Sequence, residues 1–119
     1  TSEPLRCRHC HCTRCRKGRS AAHASNLVVS LDGFRFTRGA DRLASYKVPE
    51  AQFFTQTFCR ACGSPMPRAD SGRGIAVIPM GALDADPGVR PDHHIFVASK
   101  APWFEITDKL PQYAEQQPG

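Results

Sequence analysis

The chain has 119 residues, a formal charge of +5 and an apolar content of 40%. That length supports one modest core and leaves no room for a second domain. Its apolar runs, such as Ile75-Ala76-Val77-Ile78, are far too short to cross a bilayer as a helix.

In chain order, the opening Thr1-Ser2-Glu3-Pro4 carries no secretory leader pattern, so a cytoplasmic protein is expected. Arg6, Arg8, Arg14, Arg16, Lys17 and Arg19 follow, with no acidic residue between Glu3 and Asp32. This density reads either as a solvated basic surface or as an anion-binding rim beside the cysteines of the same stretch. At most one helical turn is expected after Cys15. Residues 26–31 are β-branched and apolar, and 34–37 alternate; with Asp32-Gly33 between them they predict a hairpin. Further strands are expected at 43–48, 53–58, 74–78 and 94–98, separated by turn clusters such as Gly63-Ser64-Pro65 and Asp86-Pro87-Gly88. A second helical turn is expected near 108–110, before Pro111, and a frayed polar tail at 114–119. The fold class is mainly β: one small domain over 1–119, of short antiparallel strands with little helix. With nine glycines and ten prolines such sheets bury little surface, and a structural metal would supply folding free energy directly.

Six cysteines without a secretory signal point to metal or redox chemistry rather than to a disulfide framework. On an extended strand Cys10 and Cys12 share a face, and a turn through Thr13 and Arg14 returns Cys15 to it. Three thiolates then converge, leaving a tetrahedral zinc one exchangeable position, which is the pattern of catalytic zinc. Phe58-Cys59-Arg60-Ala61-Cys62-Gly63 reads as a zinc knuckle, with Gly63 accommodating the backbone after the second ligand. Two ligands do not close a structural site. The candidates for the missing pair are Cys7 with Cys10, a Cys-x-x-Cys separated from Cys59 by 48 residues, or ligands from preceding sequence.

His9 and His11 alternate away from the cysteine face and read as packing or surface residues. His94, ahead of Ile95-Phe96-Val97, reads chiefly as a hydrogen-bonded core histidine, with ligand or acid–base roles as alternatives. Trp103, the only tryptophan, reads as a core anchor, with substrate stacking as the alternative.

Four patches together resemble the glutathione-dependent formaldehyde-activating enzyme family, which includes the centromere protein V group. They are Cys10-His11-Cys12-x-x-Cys15-Arg16; Phe58-Cys59-x-x-Cys62-Gly63-Ser64; Pro91-x-x-His94-Ile95; and Lys100 to Ile106 running into Asp108-Lys109-Leu110-Pro111. The resemblance covers residues 10 to about 113 in the family's order. It implies a β-tent-like fold, a labile catalytic zinc on Cys10, Cys12 and Cys15, and a structural zinc that Cys59 and Cys62 share with an upstream Cys-x-Cys. No such pair stands ahead of Cys10 in this sequence, so either the domain is without its N-terminal strand or Cys7 partly substitutes.

The resemblance further implies a carbon–sulfur lyase activity that joins glutathione and formaldehyde into S-hydroxymethylglutathione. Zinc favours the ionised form of a thiol, a nucleophile toward a carbonyl carbon. Arg14, Arg16, Lys17 or Arg19 would hold the carboxylates of the thiol substrate. The competing class is a non-enzymatic zinc module that binds an acidic partner through its arginines. Nucleic acid is disfavoured, because the first 33 residues contain no aromatic residue for base stacking. A redox-active dithiol is disfavoured because no Cys-x-x-Cys is expected to lead from a strand into a helix.

Overall fold

A computed structural model describes residues 4–51 and 54–117. The mainly β architecture expected from the sequence is what the chain adopts. A five-stranded sheet carries strands β1 (Pro4–Cys10), β2 (Ala24–Ser30), β5 (Arg68–Asp70), β6 (Ile75–Pro79) and β7 (His94–Ile95), ordered β5-β6-β2-β1-β7. β3 (Leu43–Lys47) and β4 (Thr55–Cys59) form a separate antiparallel pair. In the larger sheet β1 runs antiparallel to β2 and parallel to β7, setting Cys10 beside Ile95.

The alternation of side chains divides this sheet sharply. Cys7 on β1 lies opposite Leu27 on β2, which lies opposite Ile78 on β6. These three, with Val29 and Ala76, make a buried core closed over by Leu31, Phe34, Met80, Leu83 and Val89. One residue along each strand, every side chain points to the other face. There Arg6 pairs with Val28, Arg8 with Asn26, and Val28 with Val77, and these residues floor a cleft. A second buried cluster, Cys10, Cys15, Ala24 and Ile95, closes the end of the cleft.

Several expectations are corrected. The expected hairpin at 26–37 does not form. Residues Leu31–Gly33 make a 3-10 turn and 34–37 leave the sheet, so β2 takes its partners from β1 and β6. The turn expected after Cys15 is a seven-residue helix, α1 (Thr13–Arg19), that begins before it. No helix occupies 108–110. The strand expected at 53–58 is β4, shifted toward Cys59; its first residue, Phe53, lies outside the described residues, as do Pro118 and Gly119 of the expected tail. Ala114 and Glu115 are held, their carbonyls accepting from the Ala98 and Phe96 N–H groups at 3.2 and 2.9 Å. Trp103 is no core anchor: it is 71% exposed, and Ala101 beside it takes the buried position.

Candidate metal centre

β1 ends at Cys10, and the chain turns at once into α1. Cys12 is the N-cap of that helix. Its extended backbone lets the Sγ accept from the Cys15 N–H at 3.3 Å, while its carbonyl accepts from the Arg16 N–H at 2.9 Å. An N-cap and the residue three places on face each other across the first turn, so a Cys-x-x-Cys here brings both sulfurs together. Cys10, last on the strand, adds the third. The three Sγ atoms lie within 4.8 Å of one another, Cys10 and Cys15 buried and Cys12 partly open. Among the described residues no other such group of three is found.

The thiols hold their protons unequally. Hydrogen bonds from Cys10 and Cys15 converge on the Cys12 sulfur and hold its pKa far below that of an ordinary thiol. The same contact with Cys12 pushes Cys10 up to about 11, and Cys15, touching both and desolvated, is pushed up further. Negative charge therefore collects first on the most accessible sulfur.

The cluster sits at one end of a cleft of about 750 Å³. Arg6, Arg8, Arg14, Arg19, Arg68 and Arg73 line it, with Glu115 as the one carboxylate of the lining among the described residues. Arg19 donates to Gln56 Oε1 at 3.1 Å and to Asn26 Oδ1 at 3.4 Å. Of the expected substrate-binding residues, Arg14 and Arg19 reach the cleft, whereas Arg16 and Lys17 are absent from its lining. Arg6 and Arg8 belonged to the basic stretch read as a candidate anion-binding rim, though not to the residues expected to hold substrate; Arg68 and Arg73 were not singled out by sequence reasoning. The first two carried a readable signal, since Arg6, Arg8 and Cys10 recur at the strand period of two and so share a face. Arg68 and Arg73 arrive through sheet pairing, which one sequence does not disclose.

Behind the cysteines lies a histidine cluster. His11 is completely buried, and its Nε2 is 2.8 Å from His94 Nδ1; His94 Nε2 is 3.0 Å from the Asp108 carboxylate. The carboxylate accepts, so His94 Nε2 carries the proton, and His94 Nδ1 accepts from His11 Nε2–H. Among the described residues His11 Nδ1 has no hydrogen-bond partner. The His9 ring packs 4.3 Å from His23 and 4.9 Å from His94, and His9 Nδ1 meets Ser25 Oγ at 2.8 Å. His94 is thus the hydrogen-bonded core histidine that its sequence context suggested. These rings, with the His11 N–H bonded to the Ile95 carbonyl at 3.0 Å, fix the segment between Cys10 and Cys12.

The structure does not bring Cys7 to this cluster. It lies on the opposite face of β1, in the core, where its thiol donates to Met80 Sδ at 3.4 Å. The chain turns tightly through Cys59 and Cys62: the Gly63 N–H donates to the Cys59 carbonyl at 2.6 Å, and the Cys59 N–H to the Ser64 carbonyl at 2.9 Å. Gly63 has φ +81°, a backbone that side chains rarely adopt. Cys62 is exposed, and the Ser64 hydroxyl 3.2 Å from it, with the Ser64 backbone, holds its pKa below that of an ordinary thiol.

A small β domain with three thiols gathered at the end of a basic cleft defines a class: a protein whose chemistry is that of sulfur donors open to solvent on one side. The chain belongs to the glutathione-dependent formaldehyde-activating enzyme family, whose model matches residues 1–99. That match ends before the Lys100–Pro111 patch of the sequence resemblance. A solved protein from Rhodobacter sphaeroides is similar at 25% identity, with a TM-score of 0.52 over 76% of this chain and 86% of the other. No curated protein matches the chain. Among the described residues no helix is long and apolar enough to cross a membrane.

Proposed function

We propose that the protein is a zinc-dependent carbon–sulfur lyase-type enzyme acting on a thiol adduct, in the family's reaction of glutathione with formaldehyde to give S-hydroxymethylglutathione. One observation carries the reading: Cys10, Cys12 and Cys15 converge within 4.8 Å at the edge of an open cleft instead of inside a closed core. The donor set fits zinc, since three sulfurs leave a tetrahedral ion one position for an outside ligand. Bound there, zinc favours the ionised form of a thiol and so its nucleophilicity.

The rest falls to the chain. Arg14 and Arg19 hold the carboxylates of the thiol substrate by charge-assisted hydrogen bonds and keep its sulfur near the cysteines. The sulfur attacks the aldehyde carbon, a C–S bond forms, the carbonyl π bond breaks, and the thiol proton ends on the new hydroxyl by way of solvent. Nothing is oxidised or reduced. Gln56 and Asn26, already bonded to Arg19, hold its guanidinium in place.

The arginines share a concave wall with the cysteines, and this favours a small anionic molecule over a polymer laid on a flat surface. Cys59 and Cys62 supply half of a second, structural zinc site on this reading. The test is two-dimensional NMR exchange between glutathione and formaldehyde in the presence of the zinc-loaded protein. Exchange faster than in buffer, and lost in Cys12→Ser, supports the reading; exchange at the buffer rate overturns it.

A further inference from the structure

The charge of the cleft exceeds what glutathione answers. Six guanidiniums line it among the described residues. Asp70 pairs with two of them, Arg68 at 3.2 Å and Arg73 at 2.7 Å. Glu115 is the other carboxylate at hand, and three thiolates around one zinc would contribute a single net negative charge. With Arg68 and Arg73 set aside, Arg6, Arg8, Arg14 and Arg19 stand against those two negative charges among the described residues. Glutathione brings two carboxylates and its sulfur but also an ammonium, which Arg6, Arg8, Arg14 and Arg19 would all repel.

These four arginines meet no carboxylate in the described residues. Among the described residues Arg8 donates to Gln116 Oε1 at 3.4 Å and Arg19 to the neutral amides of Gln56 and Asn26. Arg8 and Arg19 are half-buried, and burial holds Arg19 below the usual arginine range. Half-desolvated cations without an ion-pair partner, as Arg8 and Arg19 are among the described residues, are costly unless an anion joins them. At about 750 Å³ the cleft is also large for a tripeptide thiol, toward the upper part of the roughly 300–1,000 Å³ usual for small-molecule sites.

We propose that the cleft takes a thiol more anionic than glutathione, one whose phosphate or additional carboxylate groups lie between Arg6, Arg8, Arg14 and Arg19 while its sulfur meets the cysteine cluster. This inference rests on the thiol-binding reading above and changes the class of thiol. Bidentate guanidinium contacts suit phosphate and carboxylate alike.

The experiment is calorimetric binding to the zinc-loaded protein at about 0.15 M salt, where weak surface attraction is screened. The probes are glutathione, mercaptosuccinate as a small polycarboxylate thiol, and the series pantetheine, dephospho-coenzyme A and coenzyme A, which share one thiol arm and differ in phosphates. Coenzyme A is expected to bind about tenfold tighter than pantetheine and tighter than glutathione, the gain that one or two extra charge-assisted contacts provide. Arg6→Gln should erase most of that gain and leave pantetheine binding unchanged. The Arg6 side chain is exposed and lacks a polar partner among the described residues, so the fold survives its loss. If mercaptosuccinate rather than coenzyme A outbinds glutathione, the anionic groups are carboxylates and the proposal stands. If glutathione binds as well as every more anionic thiol, the proposal falls while the thiol-binding reading survives. If no thiol binds, both fall.

Discussion

His11 Nε2 and His94 Nδ1 lie 2.8 Å apart, deep inside the protein, and their contact ties the segment between Cys10 and Cys12 to the strand β7. His94 has both nitrogens engaged, one by His11 and one by Asp108. Replacing it with Phe fills the volume but leaves the His11 Nε2–H buried without an acceptor, at a cost of about 1–3 kcal/mol. Chemical denaturation of His94→Phe should show that loss, together with faster release of zinc to a chelator. Asp108→Asn keeps an amide oxygen in place to accept from His94 and should lose less on both measures. Equal losses in the two variants would mean that Asp108 matters for its charge and not as an acceptor.

The same cluster makes acid destabilising. Burial, and after it the neighbouring imidazoles, holds the His9 and His11 pKa values down at about 4; burial also lowers His23. An unfolded histidine titrates near 6.5. Between those values the unfolded chain binds protons that the folded chain refuses, so stability rises with pH across the window. The thermal midpoint should therefore be level above pH 6.5 or so and fall as the pH drops toward 4. His23→Gln, eight residues beyond the nearest cysteine of the cluster, should flatten that fall by up to about one proton of linkage. An unchanged slope in His23→Gln would remove His23 from the transition and leave it to His9, His11 and the thiolates.

Cys7 and Cys15 offer a paired test of which sulfurs hold metal. Both are buried, yet they belong to different cores on opposite faces of the sheet. Native mass spectrometry should find that Cys15→Ser loses one zinc and that Cys7→Ala keeps the parent count. Cys7→Ala should cost about 1 kcal/mol of stability, as an ordinary core truncation does. A zinc lost from Cys7→Ala would place that residue in a metal site by a rearrangement of β1.

The sequence carried most of this. Residues 26–31, 43–48 and 74–78 show the β-branched, apolar character of strands, and strands lie there. The Cys10-His11-Cys12 spacing put the sulfurs together and the intervening histidine elsewhere. What it hid has identifiable causes. Asp32-Gly33 is a hairpin signal by composition, but Phe34 is used to cover the core formed by Cys7 and Leu27, and tertiary packing overrode the turn. Helix α1 has seven residues and no hydrophobic period; its evidence is a cysteine acting as N-cap, a residue type not usually read that way. That helix also removes the ground on which a redox dithiol was set aside, because Cys12-Thr13-Arg14-Cys15 does lead from a strand into a helix. Trp103 misled because size suggests burial, whereas the chain here needed only the small Ala101 inside.

Thiol reactivity follows from the same geometry and can be read residue by residue. In the reduced protein stripped of metal, Cys12 combines partial exposure with a sulfur that its two neighbours hold as thiolate. Cys62 is exposed, with its pKa lowered by the Ser64 contacts. Cys10 is buried and pushed up by Cys12, Cys15 is buried and pushed up by Cys10 and Cys12, and Cys7 is buried and raised by desolvation. Alkylation depends on thiolate fraction and access together. Timed labelling with iodoacetamide, read by peptide mass spectrometry, should modify Cys12 and Cys62 first and Cys7, Cys10 and Cys15 at least about tenfold more slowly. Zinc added beforehand should protect Cys12, because the sulfur that is most nucleophilic in the free cluster is also the one best placed to take the metal. Protection that spares Cys12 while covering Cys62 would separate the metal from the three-cysteine cluster and sink its assignment there.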